Sequence, residues 1–236
     1  MKTKVISLAV IFLLSMPDGF SQRHPKGDTG VHLGIIAGVN LQNLNGTDFW
    51  GEKLDNDFII GFNAGVNVNI PIAPDFYIQP GLMFSAKGGK QKVIESPSKA
   101  EGNEVTTKVS INYLEVPVNL LFRPQAGDGH LLIGFGPYIG YGIFGKVKTK
   151  EGSLSNELDI KFKNTVTSSD PSTSSYMRPL DAGGTILFGY ELFNGLFFQL
   201  NGQLGLLKIN PEYENLTNNK TSIKNFGFGL SAGYRF

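Results

Sequence analysis

The stretch Ile223-Lys224-Asn225-Phe226-Gly227-Phe228-Gly229-Leu230-Ser231-Ala232-Gly233-Tyr234-Arg235-Phe236 decides the fold. Its even positions from Phe226 onward are aromatic or aliphatic, and its odd positions from Asn225 are Asn, Gly, Ser and Arg. Side chains alternate faces along a strand, so this segment carries one greasy face and one small, polar face. Residues 196–206 repeat the pattern: Leu196, Phe198, Leu200, Leu204 and Leu206 oppose Gln199, Asn201, Gln203 and Gly205. Residues 58–70 repeat it again, with Ile60, Phe62, Val66, Val68 and Ile70 opposing Gly61, Asn63, Gly65, Asn67 and Asn69.

The chemistry of the polar face sets its direction. A solvent-facing sheet surface is rich in Lys, Glu and Thr, whereas this one is Gly, Asn, Gln and Ser. Small uncharged residues suit a crowded, hydrogen-bonded interior, and the apolar face then meets lipid, where charge is costly. A closed barrel satisfies every backbone group in hydrocarbon, which an open sheet cannot do.

Eight such segments are expected: 31–40, 58–70, 76–87, 108–122, 130–143, 179–191, 195–207 and 223–236. Three connections are short, around Pro71 to Asp75, Arg123 to Gly129 and the Asn194-Gly195 turn, a hairpin signal. The other four, near 41–57, 88–107, 144–178 and 208–222, are long and polar, and short and long alternate strictly. That asymmetry is the mark of an up-and-down transmembrane barrel with short periplasmic turns and long outer loops. An even strand number puts both termini in the periplasm. Pro80, Pro117 and Pro137 fall inside strands; proline cannot donate to a ladder, so bulges or unpaired positions are expected there.

Composition agrees. Gly supplies 30 of 236 residues, charged residues only 17%, and the net charge of +1 offers no electrostatic case for nucleic acid. With no Cys, disulfides, thiolate metal sites and a lipid-modified Cys are excluded. Lys2 and Lys4, the apolar run Val5–Met16 and the small-residue site at Gly19-Phe20-Ser21 read as a signal peptide over 1–21. A flexible leader over 22–30 and one barrel domain over 31–236 follow. The expected localisation is the bacterial outer membrane.

Several of these segments resemble the PorT-like outer-membrane barrel proteins of Bacteroidota. They are Phe76-Tyr77-Ile78-Gln79-Pro80-Gly81, Tyr113-Leu114-Glu115-Val116-Pro117-Val118, Gly134-Phe135-Gly136-Pro137-Tyr138-Ile139-Gly140-Tyr141, and Gly227-Phe228-Gly229-Leu230 through Gly233-Tyr234-Arg235-Phe236. The resemblance implies an eight-stranded barrel of OmpX/OmpA-like architecture and makes the strand prolines a recurrent feature. The family's namesake is linked to secretion and gliding, but most members have no assigned activity, so a role does not transfer.

The expected inward charges are Glu115, Arg123, Asp181, Glu191 and Arg235, which must pair if buried. They read as an interior ion-pair network filling a lumen that eight strands leave narrow. Tyr234 and Phe236 read as an assembly signal for the barrel-assembly machinery. Phe49 and Trp50 in the first loop read as an interfacial anchor or a partner contact. His24, His32 and His130 all fall at the periplasmic end, so an outer-rim Ser-His-Asp arrangement lacks its base. No catalytic residue, metal or cofactor is expected. The second and third long loops interleave Lys90, Lys92, Lys99, Lys146, Lys148, Lys150, Lys161 and Lys163 with Glu95, Glu101, Glu104, Glu151, Glu157 and Asp159; they read as solvated loops of mixed sign, and such lysines can also meet lipopolysaccharide phosphates. The expected function is structural or interactive, through the loops and with the bilayer. A narrow channel or translocator is the alternative, and a soluble lipid-binding barrel with its apolar face inward the second.

Overall fold

The computed structural model describes residues 30–94 and 104–236. The signal peptide expected over 1–21, residues 22–29 with His24, and the tip of the second long connection lie outside the described residues. Eight long strands run in chain order: β1 His32–Thr47, β2 Ile59–Ala73, β3 Phe76–Ile94, β4 Glu104–Phe122, β5 Gly129–Glu151, β6 Leu180–Leu192, β7 Leu196–Gly205 and β8 Ser222–Arg235. Each pairs antiparallel with the next, and β8 returns to β1 through Gly34 opposite Arg235 to Thr47 opposite Ser222. The ring is closed and has no edge.

The expected facing is what folding produces. Ile60, Phe135, Leu200 and Leu230 are more than half exposed on the outside, while Asn225, Ser231 and Gln199 are buried within. This is the reverse of the facing that a soluble lipid-binding barrel needs. Aromatic pairs ring the outer surface near both ends. Phe76 and Phe122 (centroids 4.8 Å apart) lie at the end of the short turns; Phe62, Phe84 and Phe144 form a chain, 5.3 and 6.2 Å apart, at the end of the long loops. Girdles of this kind flank the apolar band of membrane barrels.

All eight expected strands are present, but four run past the expected limits at the loop end. β3 and β4 extend their hairpin to Ile94 and from Glu104, and β5 continues to Glu151. Above the bilayer the outer face no longer has to be apolar, so the alternation fades while the ladder persists. The third long connection carries the strand Leu154–Phe162 that its alternating Leu158, Ile160 and Phe162 suggest; it pairs with β5 and then with Ser175–Met177.

The three prolines sit on adjacent strands, where the ladders skip rungs without changing register. Asn67 pairs Gly81 and Ile70 pairs Ile78 around Pro80, and Pro117 pairs Tyr138 before the next rung at Leu120–Phe135. Of the two expected outcomes, the unpaired position is therefore the one found. A slip of one residue would turn every later side chain to the wrong face, whereas a skipped rung loses only local bonds. Register shifts occur elsewhere, between Pro71 and Ala73 and between Asn112 and Tyr113. The Asn194-Gly195 hairpin is a three-residue loop, 193–195, closed by the Gly195 amide donating to the Leu192 carbonyl at 2.9 Å. Gly195 alone of the three takes the left-handed conformation, at φ +85°.

Leu200 lies at mid-height on the outer face. Leu200→Arg is expected to cost roughly 2–4 kcal/mol in urea unfolding from bilayers, and an unchanged midpoint would overturn the facing.

Candidate functional site

The lumen is layered, and each layer follows from the inward half of the alternation. At the turn end, Glu191 on β6 meets arginines from two other strand ends. Arg123 Nη2 donates to its Oε1 at 2.7 Å and Arg235 Nε to its Oε2 at 2.7 Å. Arg235 also donates to Asn67 Oδ1 at 3.1 Å and lies over the Phe197 ring. All three charged groups are buried. Two guanidiniums against one carboxylate leave this cluster with a formal charge of +1. Above it Ile36, Tyr77, Leu121, Leu132, Leu187 and Phe197 form an apolar layer.

The middle of the barrel is a web of amides and hydroxyls. Thr185 Oγ1 donates to Asn119 Oδ1 at 2.6 Å, Asn119 Nδ2 to Gln79 Oε1 at 3.4 Å, and Gln79 Nε2 to Asn69 Oδ1 at 2.9 Å. On the opposite wall Asn201 Nδ2 donates to Ser231 Oγ at 2.9 Å, and Asn63 donates to Asn40. A cavity of about 110 Å³ remains among them. Its lining mixes amides with apolar side chains such as Ile36, Met83 and Leu187, and its amides offer partners for waters, which need about 10–15 Å³ each.

Toward the loop end a second ionic cluster closes the chamber. Lys87 Nζ lies 2.5 Å from Glu115 Oε1 and 2.9 Å from Asp181 Oδ2, with the Tyr138 ring 4.3 Å away. Asp181 Oδ2 also accepts from Tyr138 (3.1 Å) and Asn225 (2.9 Å), while Glu115 Oε2 accepts from Gln203 at 3.0 Å. One ammonium against two carboxylates leaves a formal charge of −1. Above it Leu44, Ile111 and Tyr113 are sealed by Ile160 and Met177 from the third long connection and Ile209 from the fourth. The Arg178 amide donates to the Ile209 carbonyl at 2.7 Å, joining these two connections.

The five inward charges expected from the alternation thus fall into two separate clusters rather than one network. Arg123, Glu191 and Arg235 meet at one end, and Glu115 and Asp181 at the other. Lys87 is the member the sequence reading missed. The signal was present: Lys87 continues the inward series Tyr77, Gln79, Gly81, Met83 and Ser85. Of the apolar cap, only Ile160 carried a local signal, the alternation of Leu158, Ile160 and Phe162; Met177 lies on a three-residue strand and Ile209 outside any strand, too short a stretch to show a period. His32 and His130 lie at the turn end, beside Arg123, Glu191 and Arg235. Tyr234 and Phe236 pack edge to face on the outer surface, 5.1 Å apart. Phe49 and Trp50 also meet edge to face, with Trp50 74% exposed.

Removing one member of a buried pair strands the others, at about 3–5 kcal/mol, whereas replacing the whole group with apolar residues is often neutral. Lys87→Met alone is therefore expected to lower unfolding stability by about that amount, and Lys87→Met with Glu115→Leu and Asp181→Leu to recover most of it. Equal losses in both would show that the cluster contributes net stability. Near the cap, hydrogen bonds from Lys208 (3.1 Å) and Arg178 (2.8 Å) hold the Glu212 carboxyl below its usual range. A carboxyl lowered in the folded state stabilises above its ordinary titration range and loses that contribution as pH falls through the lowered value. Protection of the Arg178 amide against hydrogen exchange, corrected for the intrinsic rate, should hold above the ordinary carboxylate range and decline progressively from there down to the lowered value. Protection unchanged across that interval would remove Glu212 as the tie.

Residues 20–211 match the family model described as outer membrane protein beta-barrel domain. No curated protein matches significantly. Among solved structures, Ail, the attachment invasion locus protein of Yersinia pestis, crystallised with the heparin analogue sucrose octasulfate, shares 13% identity over 87% of this chain and 99% of its own, at a TM-score of 0.38. The outer membrane protein AlkL, solved by solid-state NMR in DMPC bilayers, shares 13% over 94% and 97%, at 0.37. The closed, apolar-faced ring and the family match together make this chain a member of the outer membrane protein beta-barrel domain family, an eight-stranded antiparallel barrel of the bacterial outer membrane.

Proposed function

We propose that this is a closed-lumen, non-catalytic interaction protein, with both termini in the periplasm and its role carried by the long loops on the cell exterior. The observation that supports it best is closure at both ends: Glu191 is held by two arginines at one, and Lys87, Glu115 and Asp181 lie beneath the Ile160–Met177–Ile209 cap at the other. Side chains committed to one another in this way fill the barrel rather than wait for a substrate. The orientation rests on the turn and loop asymmetry usual in such barrels. Trp50, exposed at the loop end, suits contact with a protein partner. Tyr234 and Phe236 are the pair the assembly machinery would read. An envelope- or secretion-associated role is compatible with this reading, the resemblance to the PorT-like barrels of Bacteroidota supporting the barrel rather than the role.

A narrow translocation path is the second reading, favoured by the amide-lined cavity between the two clusters. Recording in planar bilayers separates the two. The unmodified protein is expected to be electrically silent, and Glu115→Ala to stay silent because the arginine cluster still closes the other end. Steady conductance from the unmodified protein that changes on replacing Glu115 or Arg235 would sink the closed-lumen reading.

A further inference from the structure

Strands β3, β4 and β5 do not end at the aromatic girdle. They climb beyond it as a sheet, joined by Leu154–Phe162. The ladder places Lys90 directly opposite Lys108, and Lys108 directly opposite Lys148. The rung farther from the membrane puts Lys92 and Lys150 opposite Thr106, and the rung nearer to it puts Lys146 opposite Ser110. Strand alternation sets all six lysines on the outer face, continuous with Leu114 and Phe144 below.

Like charges directly across an antiparallel pair destabilise it. Three carboxylates temper the face: Asp57 lies 3.3 Å from Lys90, Glu157 stands opposite Lys148 in the ladder and 2.5 Å from Lys146, and Asp159 stands opposite Lys146. The face still carries more lysines than carboxylates, with the row through Lys108 and Lys148 at its centre. Cβ atoms of opposite residues are about 5 Å apart, so two neighbouring ammonium groups can grip one phosphate, and repulsion becomes shared attraction.

The height matches that use. Lys146 and Lys148 follow Phe144 by two and four residues. At about 3.3 Å per residue on a strand tilted about 40°, they stand roughly 5–10 Å above the hydrocarbon edge. The headgroup layer of a leaflet is about 5–8 Å deep. We infer that the lysine-bearing outer face of the β3–β4–β5 extension docks the phosphate groups of outer-leaflet glycolipid headgroups and so fixes which side of the barrel holds charged lipid. The inference rests on the proposed orientation, with the long loops on the cell exterior.

The test uses the full chain in nanodiscs of phosphatidylcholine, alone, with a bisphosphorylated glycolipid, or with the same glycolipid dephosphorylated. Amine labelling of Lys108 and Lys148, read by mass spectrometry, is expected to slow several-fold with the phosphorylated lipid only. The triple variant Lys90→Gln, Lys108→Gln, Lys148→Gln, checked for a folded barrel by its gel mobility before heating, should retain several-fold less of that lipid on purification. Equal labelling in all three discs, or undiminished lipid retention by the folded triple variant, would overturn the proposal. So would equal protection by inorganic phosphate in plain phosphatidylcholine discs, which would make the face a general anion site. Nanodiscs expose both leaflets, so these results stand apart from the orientation itself, which protease shaving of the 152–179 connection on intact cells tests separately.

Discussion

Everything in this molecule depends on the pairing of β8 with β1. In hydrocarbon no water is present to satisfy a backbone amide or carbonyl, so a sheet can cross only if its last strand finds its first. Fourteen consecutive rungs, from Gly34–Arg235 to Thr47–Ser222, make that closure. Once the ring is shut, the period of two assigns every side chain either to lipid or to a lumen too narrow for a large one at every inward position. Glycine then becomes a spacing device. A Cβ on Gly233 would stand 2.3 Å from the Phe197 ring, and one on Gly227 would stand 2.5 Å from the Gln42 amide.

A lumen of this width must be filled, and its filling must leave few polar groups without partners. The solution is graded from end to end. From the turn end the order is the arginine–Glu191 cluster, an apolar layer, the amide web, the Lys87 cluster and the apolar cap. Buried ions are costly unless geometry and extra hydrogen bonds compensate, and both clusters supply them: both oxygens of Glu191 accept from arginine, and Asp181 Oδ2 accepts from lysine, tyrosine and asparagine. The clusters carry opposite formal charge, positive at the turn end and negative at the loop end.

Outside the membrane the same strands serve a different solvent. Where β3, β4 and β5 leave the apolar band, phenylalanine gives way to lysine on the same face, with no break in the ladder. The barrel therefore presents a rigid, charged sheet at headgroup height, while its third and fourth long connections fold inward to cap the lumen. The charged outer face and the apolar inner cap thus belong to different segments of the loop end.

The alternation of Leu200 with Asn201 and of Phe228 with Gly229 was enough to determine strand number, facing and the identity of most inward charges, because a period of two is a local property of the chain. Even the strand prolines were legible as interruptions, since a missing amide is written in the residue type. What only the tertiary structure decided was which inward charges meet and what covers them. Arg123, Glu191 and Arg235 lie on three different strands, and their meeting depends on the stagger of the whole ring. Lys87 closes the inward series of its strand, but its partners Glu115 and Asp181 lie on two other strands and no local pattern joins them. Ile160, Met177 and Ile209 come together only because two long connections return over the mouth; the alternation around Ile160 marks a strand, but no local pattern says that it packs against Met177 and Ile209.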